Sequence, residues 1–542
     1  MHPSLLNQND IDAYLSDGHW STDTMAARCG TYARELPDKT ACRDARETYS
    51  WARLDEVTNQ LAANLIDLGL ARDARALVQM PSSCREMVLR IGLKKAGIIG
   101  AFVPMQWRRK ELRYVLDCIR PTLAVVTAET VDGLDEVIAD VAHRVDLGGG
   151  RRDGWRSWSD LIDGHPDEAA RARIPDRTFA FNEVSLITAS SGTSGLAKLC
   201  EWPEAAQICV GRGIGERLAI KADDNIGIFS PMSGAAGVLV WTISGTTPCA
   251  FTFPETYHAD ALLDLVQRAE ISVATTVPVI LARLAQEDLA AYDLSSLRVL
   301  RVGTAAADCQ AALSFETRTD CKVVIASGSM ECPGFGHAHI DEPQAIRLDG
   351  SVGLPLPGCR LRIVDGTGTA LPPDEIGELN VSAPFAASGY WNDLEMTAAA
   401  WSDGWYATGD VGFLDSGGRL TLKGRLKEMI NRSGHKILPA EVEQEIARHP
   451  DIFDCAVVGA PDAEYGEVPW AFVQLHSGKP FDPRAITEML NERGFAGYKI
   501  PVRIIEVPAL PRIAGNKIDK KVLLDHAPPF DAINNGDKNH AQ

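Results

Sequence analysis

The chain reads as an α/β protein in two unequal parts: a large N-terminal domain of doubly wound α/β subdomains with an antiparallel β region, and a small α+β C-terminal domain. Three observations carry that reading. Apolar runs alternate with amphipathic stretches twice, over residues 76–128 and 260–326. Past Pro355 the texture turns to short alternating runs broken by turn residues. A length of 542 residues also exceeds what one hydrophobic core usually supports.

Taken in order, "ALVQM", "SSCREMVLRIGLKKAG", "IIGAFVP", "RRKELRYVLDCI" and "LAVVTA" read as strand, helix, strand, helix, strand, which implies a parallel sheet. The same order recurs in "ALLDLVQRAE", "SVATTVP", "VILARLAQ", "LRVLRVG" and "KVVIA". Beyond Pro355, "GCRLRIVDGTGTALPPDEIGELNVSAP" predicts antiparallel strands. After "GRLTLKGRLKEMI", the stretch "PAEVEQEIARHP" predicts a helix opened by Pro439, since proline suits the first helical position. Strands "DCAVVGA" and "PWAFVQL" and a helix around "PRAITEMLNERG" complete the small module. These readings place the domain boundary near Lys427, giving domains 1–426 and 427–542, with a polar tail at 527–542 read as unfolded.

Lysine and arginine number 54 against 73 acidic residues, and a net charge of −19 argues against nucleic acid or an anionic membrane as the main partner. The 12 cysteines form no C-x-x-C pair, which suits reduced thiols better than a disulfide framework. The opening "MHPSLLNQNDIDAYL" has no basic region followed by an apolar run, and no stretch approaches a membrane span. The expected location is the cytoplasm.

The stretch most suggestive of chemistry is "LITASSGTSGLAKLCEWP", residues 186–203. Backbone N–H groups of a Ser/Thr/Gly loop can converge on anionic oxygens, while hydroxyls and a lysine add donors and charge. Ser190, Ser191, Gly192, Thr193, Ser194 and Lys198 supply these groups, although the G-x-x-x-x-G-K-[ST] spacing is absent. A solvated turn is an equally plain reading of the loop alone. Two other stretches are set aside. "GRGIGE" from Gly211 has no preceding strand and lacks a complete dinucleotide fingerprint. Cys332, His337 and His339 lie close in sequence without the spacing of a usual zinc site.

Beside the loop stand Gly328-Ser329-Met330-Glu331, "GELNVSAPFAASGYWNDLEMT", "WYATGD", "GRLKEMINRSGHKILPAEVEQEI" and "LPRIAGNKIDK". In order and spacing these six motifs resemble the adenylate-forming superfamily of acyl- and aryl-CoA ligases, peptide-synthetase adenylation domains and luciferases. The resemblance implies ATP, held as AMP in an acyl adenylate, together with coenzyme A and Mg2+. It assigns Asp410 to the ribose hydroxyls, Arg425 to the ribose and phosphate, and Glu331 to magnesium, a hard ion that takes oxygen ligands. It places Lys517 between the attacking carboxylate and the α-phosphate, where an ammonium offsets the repulsion of two anions. Lys427 becomes a hinge for a mobile C-terminal domain, and Gly434 lies in the segment used for thioester formation. Gly303, Thr304, Ser327, Ser233 and Gly234 fall to the acyl substrate, with Ser327 where an aromatic usually stacks on adenine.

Four departures from the family pattern set the functional expectation. Ala197 and Leu199 replace a proline and a glycine after the loop, Met330 replaces a threonine or small residue, and Gly515-Asn516-Lys517 replaces S-G-K. A left-handed conformation at Leu199 would cost about 1–2 kcal/mol, so this side chain either takes another backbone shape or crowds the polyphosphate. These changes touch the ATP-dependent half-reaction, whereas the thioester segment is kept. Ser233 and Gly234 stand where the family has phenylalanine and histidine, which enlarges the acyl pocket. The expectation is a ligase for a bulky aryl, alicyclic or terpenoid acid, or for its adenylate supplied by a separate adenylating enzyme, with adenylation weakened. A complete two-step ligase, a carrier-protein adenylation domain and a silent binder are the alternatives.

Overall fold

In the computed structural model, residues 6–127, 130, 134–148, 153–163, 168–190, 197–303, 309–512 and 518–525 are described. The polar tail thus lies outside them. Contacts divide the chain into two compact units, Met1–Arg362 with Asn380–Thr408 and Leu414–Thr421, and Ile363–Leu379 with Gly409–Phe413 and Leu422–Gln542. The segment Leu422–Gln542, which includes Lys427, makes up most of the smaller unit.

In the larger unit, the first alternating region forms strands Ala74–Gln79, Ile98–Phe102 and Leu123–Val126 with helices Cys84–Ala96 and Arg109–Ile119 between them. The three strands are parallel, Ala74–Gln79 lying between the other two, and Ile98–Phe102 pairs in turn with Val184–Ser190. Lys198–Pro203 then closes this seven-stranded sheet as an antiparallel edge. Helix Cys84–Ala96 starts on the Ser83 hydroxyl, which accepts from the Glu86 N–H, and stops at Gly97 with φ 66°, a left-handed C-cap that glycine adopts without strain. Sequence periodicity suggested an amphipathic helix, but every residue of it except Arg85 is buried. The charges inside are paired instead: Arg90 with Glu86 at 2.7 Å, Lys95 with Asp55 at 2.6 Å, and Lys94 with Glu204.

The second alternating region gives strands Val273–Thr276, Val299–Val302 and Lys322–Ser327 of an eight-stranded sheet. Strand Asn225–Ile228 sits between Ala250–Thr252 and Val273–Thr276, all parallel, so the strand order reverses there. Leu300, Val302, Val323 and Ile325 pack with Leu262, Leu281 and Phe315 in one core. Phe315 belongs to helix Cys309–Arg318, which the sequence pattern did not announce. The region past Pro355 supplies Arg360–Val364, Gly377–Ser382 and Trp405–Leu414 to a five-stranded sheet.

In the smaller unit, strands Ile452–Asp462 and Gly466–Leu475 form a long antiparallel pair. Cys455 and Val457 face one core with helices Pro439–Ile446 and Pro483–Glu492, while Ala456 and Val458 face another with Phe472 and Leu523. Burial on both faces explains why "DCAVVGA" is continuously apolar. The hairpin Ile430–Arg432 to His435–Ile437 turns on Ser433 and Gly434, both at positive φ (47° and 87°), as a two-residue type I′ connection requires.

"GRGIGE" lies within helix Glu204–Arg217, and Gly211 serves packing there. A Cβ on Gly211 would run into the Thr242 backbone, whereas one on Gly215 would sit 3.8 Å from the Ile243 methyl. Alanine gains about 1 kcal/mol over glycine in a helix, but overpacking against backbone costs about 1–3 kcal/mol. Thermal denaturation should therefore show Gly211→Ala lowering the melting temperature and Gly215→Ala leaving it unchanged or slightly raised.

Candidate active site

Ser190 ends one strand and Lys198 begins the next, and the two are direct partners across the antiparallel pair. This register sets a hydroxyl beside an ammonium at the mouth of the Ser/Gly loop. Ser191, Gly192, Thr193 and Ser194 lie outside the described residues, as do Thr304 and Lys517.

Glu331 reaches the same place from the turn after strand Lys322–Ser327. At Gly328 a Cβ would come within 2.6 Å of the Gly334 nitrogen, so this turn admits no side chain there. The Ser329 N–H donates to the Cys332 carbonyl, the Cys332 N–H returns to the Ser329 hydroxyl, and the Trp202 indole donates to the Met330 carbonyl at 3.1 Å. Met330 itself is buried.

The Ser190 hydroxyl and the Tyr390 hydroxyl both donate to Glu331 Oε1 at 3.2 Å. Lys198 Nζ in turn donates to the Tyr390 oxygen at 3.1 Å and lies 5.0 Å from the centre of that ring. Glu331 is 5% exposed and Tyr390 1%. Burial first, then the neighbouring Glu331 charge, drives the Tyr390 pKa well above its ordinary value, so it remains a phenol and a donor. Lys198 and Tyr390 also line a cavity of about 690 Å³, which leaves this edge of the network accessible to a ligand. Tyr390 was not singled out from sequence, although it sits in the quoted "SGYWND" stretch. The missing signal was its bridge to Cys200, made in three dimensions.

Leu199 takes the first of its two alternatives. It is paired in the strand with Ala189, is buried, accepts from the Trp391 N–H at 2.7 Å, and is absent from the positive-φ residues. A glycine is not needed for an extended backbone.

The described residues expected at the acyl substrate gather at carboxyl ends of parallel strands. Ser233 and Gly234 follow Asn225–Ile228, Gly234 capping helix Ala235–Trp241; Gly303 follows Val299–Val302; Ser327 ends Lys322–Ser327. This is the edge at which open α/β sheets hold ligands. Within the smaller unit, Arg425 forms an ion pair with Asp410, Nε to Oδ1 2.9 Å, Gly424 holds φ 148°, and Lys427 lies in a short 3₁₀ turn. His337 is fully buried, and burial followed by the Arg301 charge lowers its pKa to about 3. Among the described residues no group of three or more His, Cys, Asp or Glu is arranged to hold a metal. No described helix is long and apolar enough to cross a membrane.

This arrangement, a hydroxyl-and-lysine loop joined to a turn glutamate at the edge of an α/β sheet, is that of a nucleotide-activating enzyme. The chain belongs to the AMP-binding enzyme family, which it matches over residues 30–391, with that family's C-terminal domain over 441–517. It is 30% identical over 491 residues to the indoleacetate–CoA ligase of Aromatoleum aromaticum, covering 89% of this chain and 94% of that protein. It is 28% identical over 546 residues to the 2-hydroxy-7-methoxy-5-methyl-1-naphthoate–CoA ligase of Streptomyces carzinostaticus, covering 95% of each. Among solved structures, ATP-bound MatB from Rhodopseudomonas palustris superposes with a TM-score of 0.84 at 26% identity, covering 93% of this chain and 99% of that one.

The strand edge beside the network also titrates. Burial raises Glu201 from 4.5 to about 7 against hydrogen bonds from Asn392 and Ser388. Between those values the folded protein holds a proton that the unfolded chain releases, so stability falls as pH rises through the window. Glu201→Gln should remove this slope, gaining up to about 3 kcal/mol at pH 8 and little at pH 4. Denaturant unfolding of both proteins across this range measures the difference.

Proposed function

We propose that this chain is an acid–CoA ligase acting on a bulky aryl or alicyclic carboxylic acid, and that it carries out both half-reactions. The observation that carries the proposal is the Ser190–Glu331–Tyr390–Lys198 network. It concentrates one hydroxyl and one ammonium where a polyphosphate needs donors, beside a carboxylate. In the first half-reaction the acid's carboxylate oxygen attacks the α-phosphorus of ATP and pyrophosphate leaves. Lys198 and Ser190 bind the departing charge, and the resemblance adds Lys517 at the attacking carboxylate. In the second, the CoA thiolate attacks the acyl carbonyl and AMP leaves with the bonding electron pair. Acid, ATP and CoA thus become acyl-CoA, AMP and pyrophosphate.

Glu331 and Ser190 fit magnesium, which is held through one or two carboxylates and takes water and phosphate for its other ligands. When bound, the ion would neutralise phosphate charge. Tyr390 is a positioning residue: its hydroxyl joins Lys198 to Glu331. Support for a bulky acid comes from Ser233 and Gly234 and from the two relatives, named for an indole and a naphthalene acid.

The extended Leu199 removes one ground for expecting weak adenylation. Met330, a poor hydrogen-bond partner next to Glu331, favours the second reading, in which the acyl adenylate comes from another enzyme. Pyrophosphate exchange with aryl acids, run beside thioester formation from preformed acyl adenylate, separates the two. Exchange supports the two-step enzyme; thioester from adenylate without exchange supports the second reading, and Met330→Thr should then restore exchange. Lys198→Ala is expected to lower kcat/KM for ATP about 100-fold. Tyr390→Phe, which keeps the ammonium, should lower it only about tenfold.

A further inference from the structure

Among the described residues of the larger unit, six lysine and arginine side chains are buried: Arg90, Lys94, Lys95, Arg177, Arg301 and Arg347. Four of them have a carboxylate: Glu86, Glu204, Asp55 and Glu316. Arg177 lies against two backbone carbonyls, Ala96 and Leu70, the former at the C-terminal end of a helix, where the dipole favours a cation. Arg301 has neither compensation. Its Nε donates to His337 Nε2 at 3.3 Å and its Nη1 to the Thr275 hydroxyl at 3.3 Å. No carboxylate among the described residues reaches it, and its second amino group, Nη2, makes no hydrogen bond there.

The guanidinium is also held in place. The His337 Nδ1–H donates to the Ala338 carbonyl at 2.8 Å, which leaves Nε2 as the acceptor for Arg301, and Thr275 donates its own proton to the Ala236 carbonyl at 3.0 Å. Arg301 is 4% exposed, and burial lowers its pKa only to about 10, so it is a cation at neutral pH. A buried charge without a partner costs several kcal/mol, and a protein keeps such a group where a ligand supplies the partner. The position agrees with a ligand. Gly303, on the same strand edge, has no side chain to cover the guanidinium; a Cβ there would stand 3.4 Å from Nη1.

Resting on the ligase reading above, we propose that Arg301 determines specificity by pairing with a second anionic group of the acid, a carboxylate remote from the one that reacts. The reacting carboxylate is the poorer partner. It loses its charge on becoming an acyl adenylate, so a buried cation paired with it would stabilise the ground state and raise the barrier. A second carboxylate keeps its charge through both half-reactions and compensates Arg301 throughout.

Two matched pairs test the idea with the full-length protein: naphthalene-2,6-dicarboxylate against 2-naphthoate, and terephthalate against benzoate. Trapping the adenylate with hydroxylamine gives kcat/KM, and the shift of melting temperature by each acid without ATP or CoA gives binding alone. The expected result is a preference for the diacid of about 10- to 100-fold in at least one pair. Arg301→Gln should abolish that preference and leave the monoacid within about threefold of wild type. Arg301→Lys, which keeps the charge and loses the fork, should retain part of it, and it serves if the glutamine variant does not fold. Equal use of diacid and monoacid by the wild type, equal loss of both in Arg301→Gln, or equal use of the diacid's monocarboxamide would overturn the proposal. A diacid-specific melting shift without any hydroxamate or thioester would sink the ligase reading while keeping the anion site.

Discussion

Glu331 is a carboxyl in the interior of the protein, and the candidate site is organised by the hydrogen bonds it accepts there. A carboxyl out of water is costly unless its oxygens find hydrogen-bond partners. Ser190 and Tyr390 meet that need from segments 141 and 59 positions away. Lys198 is not in contact with the carboxylate; it is tied to it through the tyrosine hydroxyl. An ammonium held by one hydroxyl keeps two donors for an incoming anion, which a direct ion pair would have used. The same need accounts for the supports around the turn: the Ala387 N–H on the Glu331 carbonyl and the Trp202 indole on that of Met330.

The interior carries more charge of this kind than its apolar composition suggests. Helix Cys84–Ala96 takes three cations inside and matches each with a carboxylate from its own or a neighbouring segment. Breaking such a pair leaves the other charge stranded, so these pairs tie the packing of neighbouring helices and strands to one arrangement. Arg301 stands out because no carboxylate among the described residues matches it, at the sheet edge where the residues expected at the acyl substrate gather.

Much of the fold was legible because periodicity belongs to chain neighbours. "ALVQM", "IIGAFVP" and "KVVIA" are strands because buried parallel strands are continuously apolar, and Pro439 opens its helix because its missing N–H costs nothing there. Helix Cys309–Arg318 was missed, its apolar positions being few and interrupted by polar ones. Helix Cys84–Ala96 was given a solvent face because its charges suggest one, when Arg90 pairs within the helix and the partners of Lys94 and Lys95 lie far away in sequence. Tyr390 and Arg301 escaped for a related reason. An aromatic in a Gly/Trp/Asn turn and an arginine in "LRVLRVG" look ordinary until their neighbours are known.

By itself, then, the amino-acid order determined the kinds of element, their succession, and six motifs that mark an AMP-binding enzyme. Tertiary structure decided which groups meet. It laid Leu199 in an extended strand, opposite Ala189 and with its carbonyl accepting from the Trp391 N–H, and it buried the side chain. It joined Lys198 to Glu331 through a phenol, and among the described residues it left Arg301 without a carboxylate. Such outcomes depend on register and packing between segments, some of them more than a hundred positions apart. No local pattern along a chain encodes those distances.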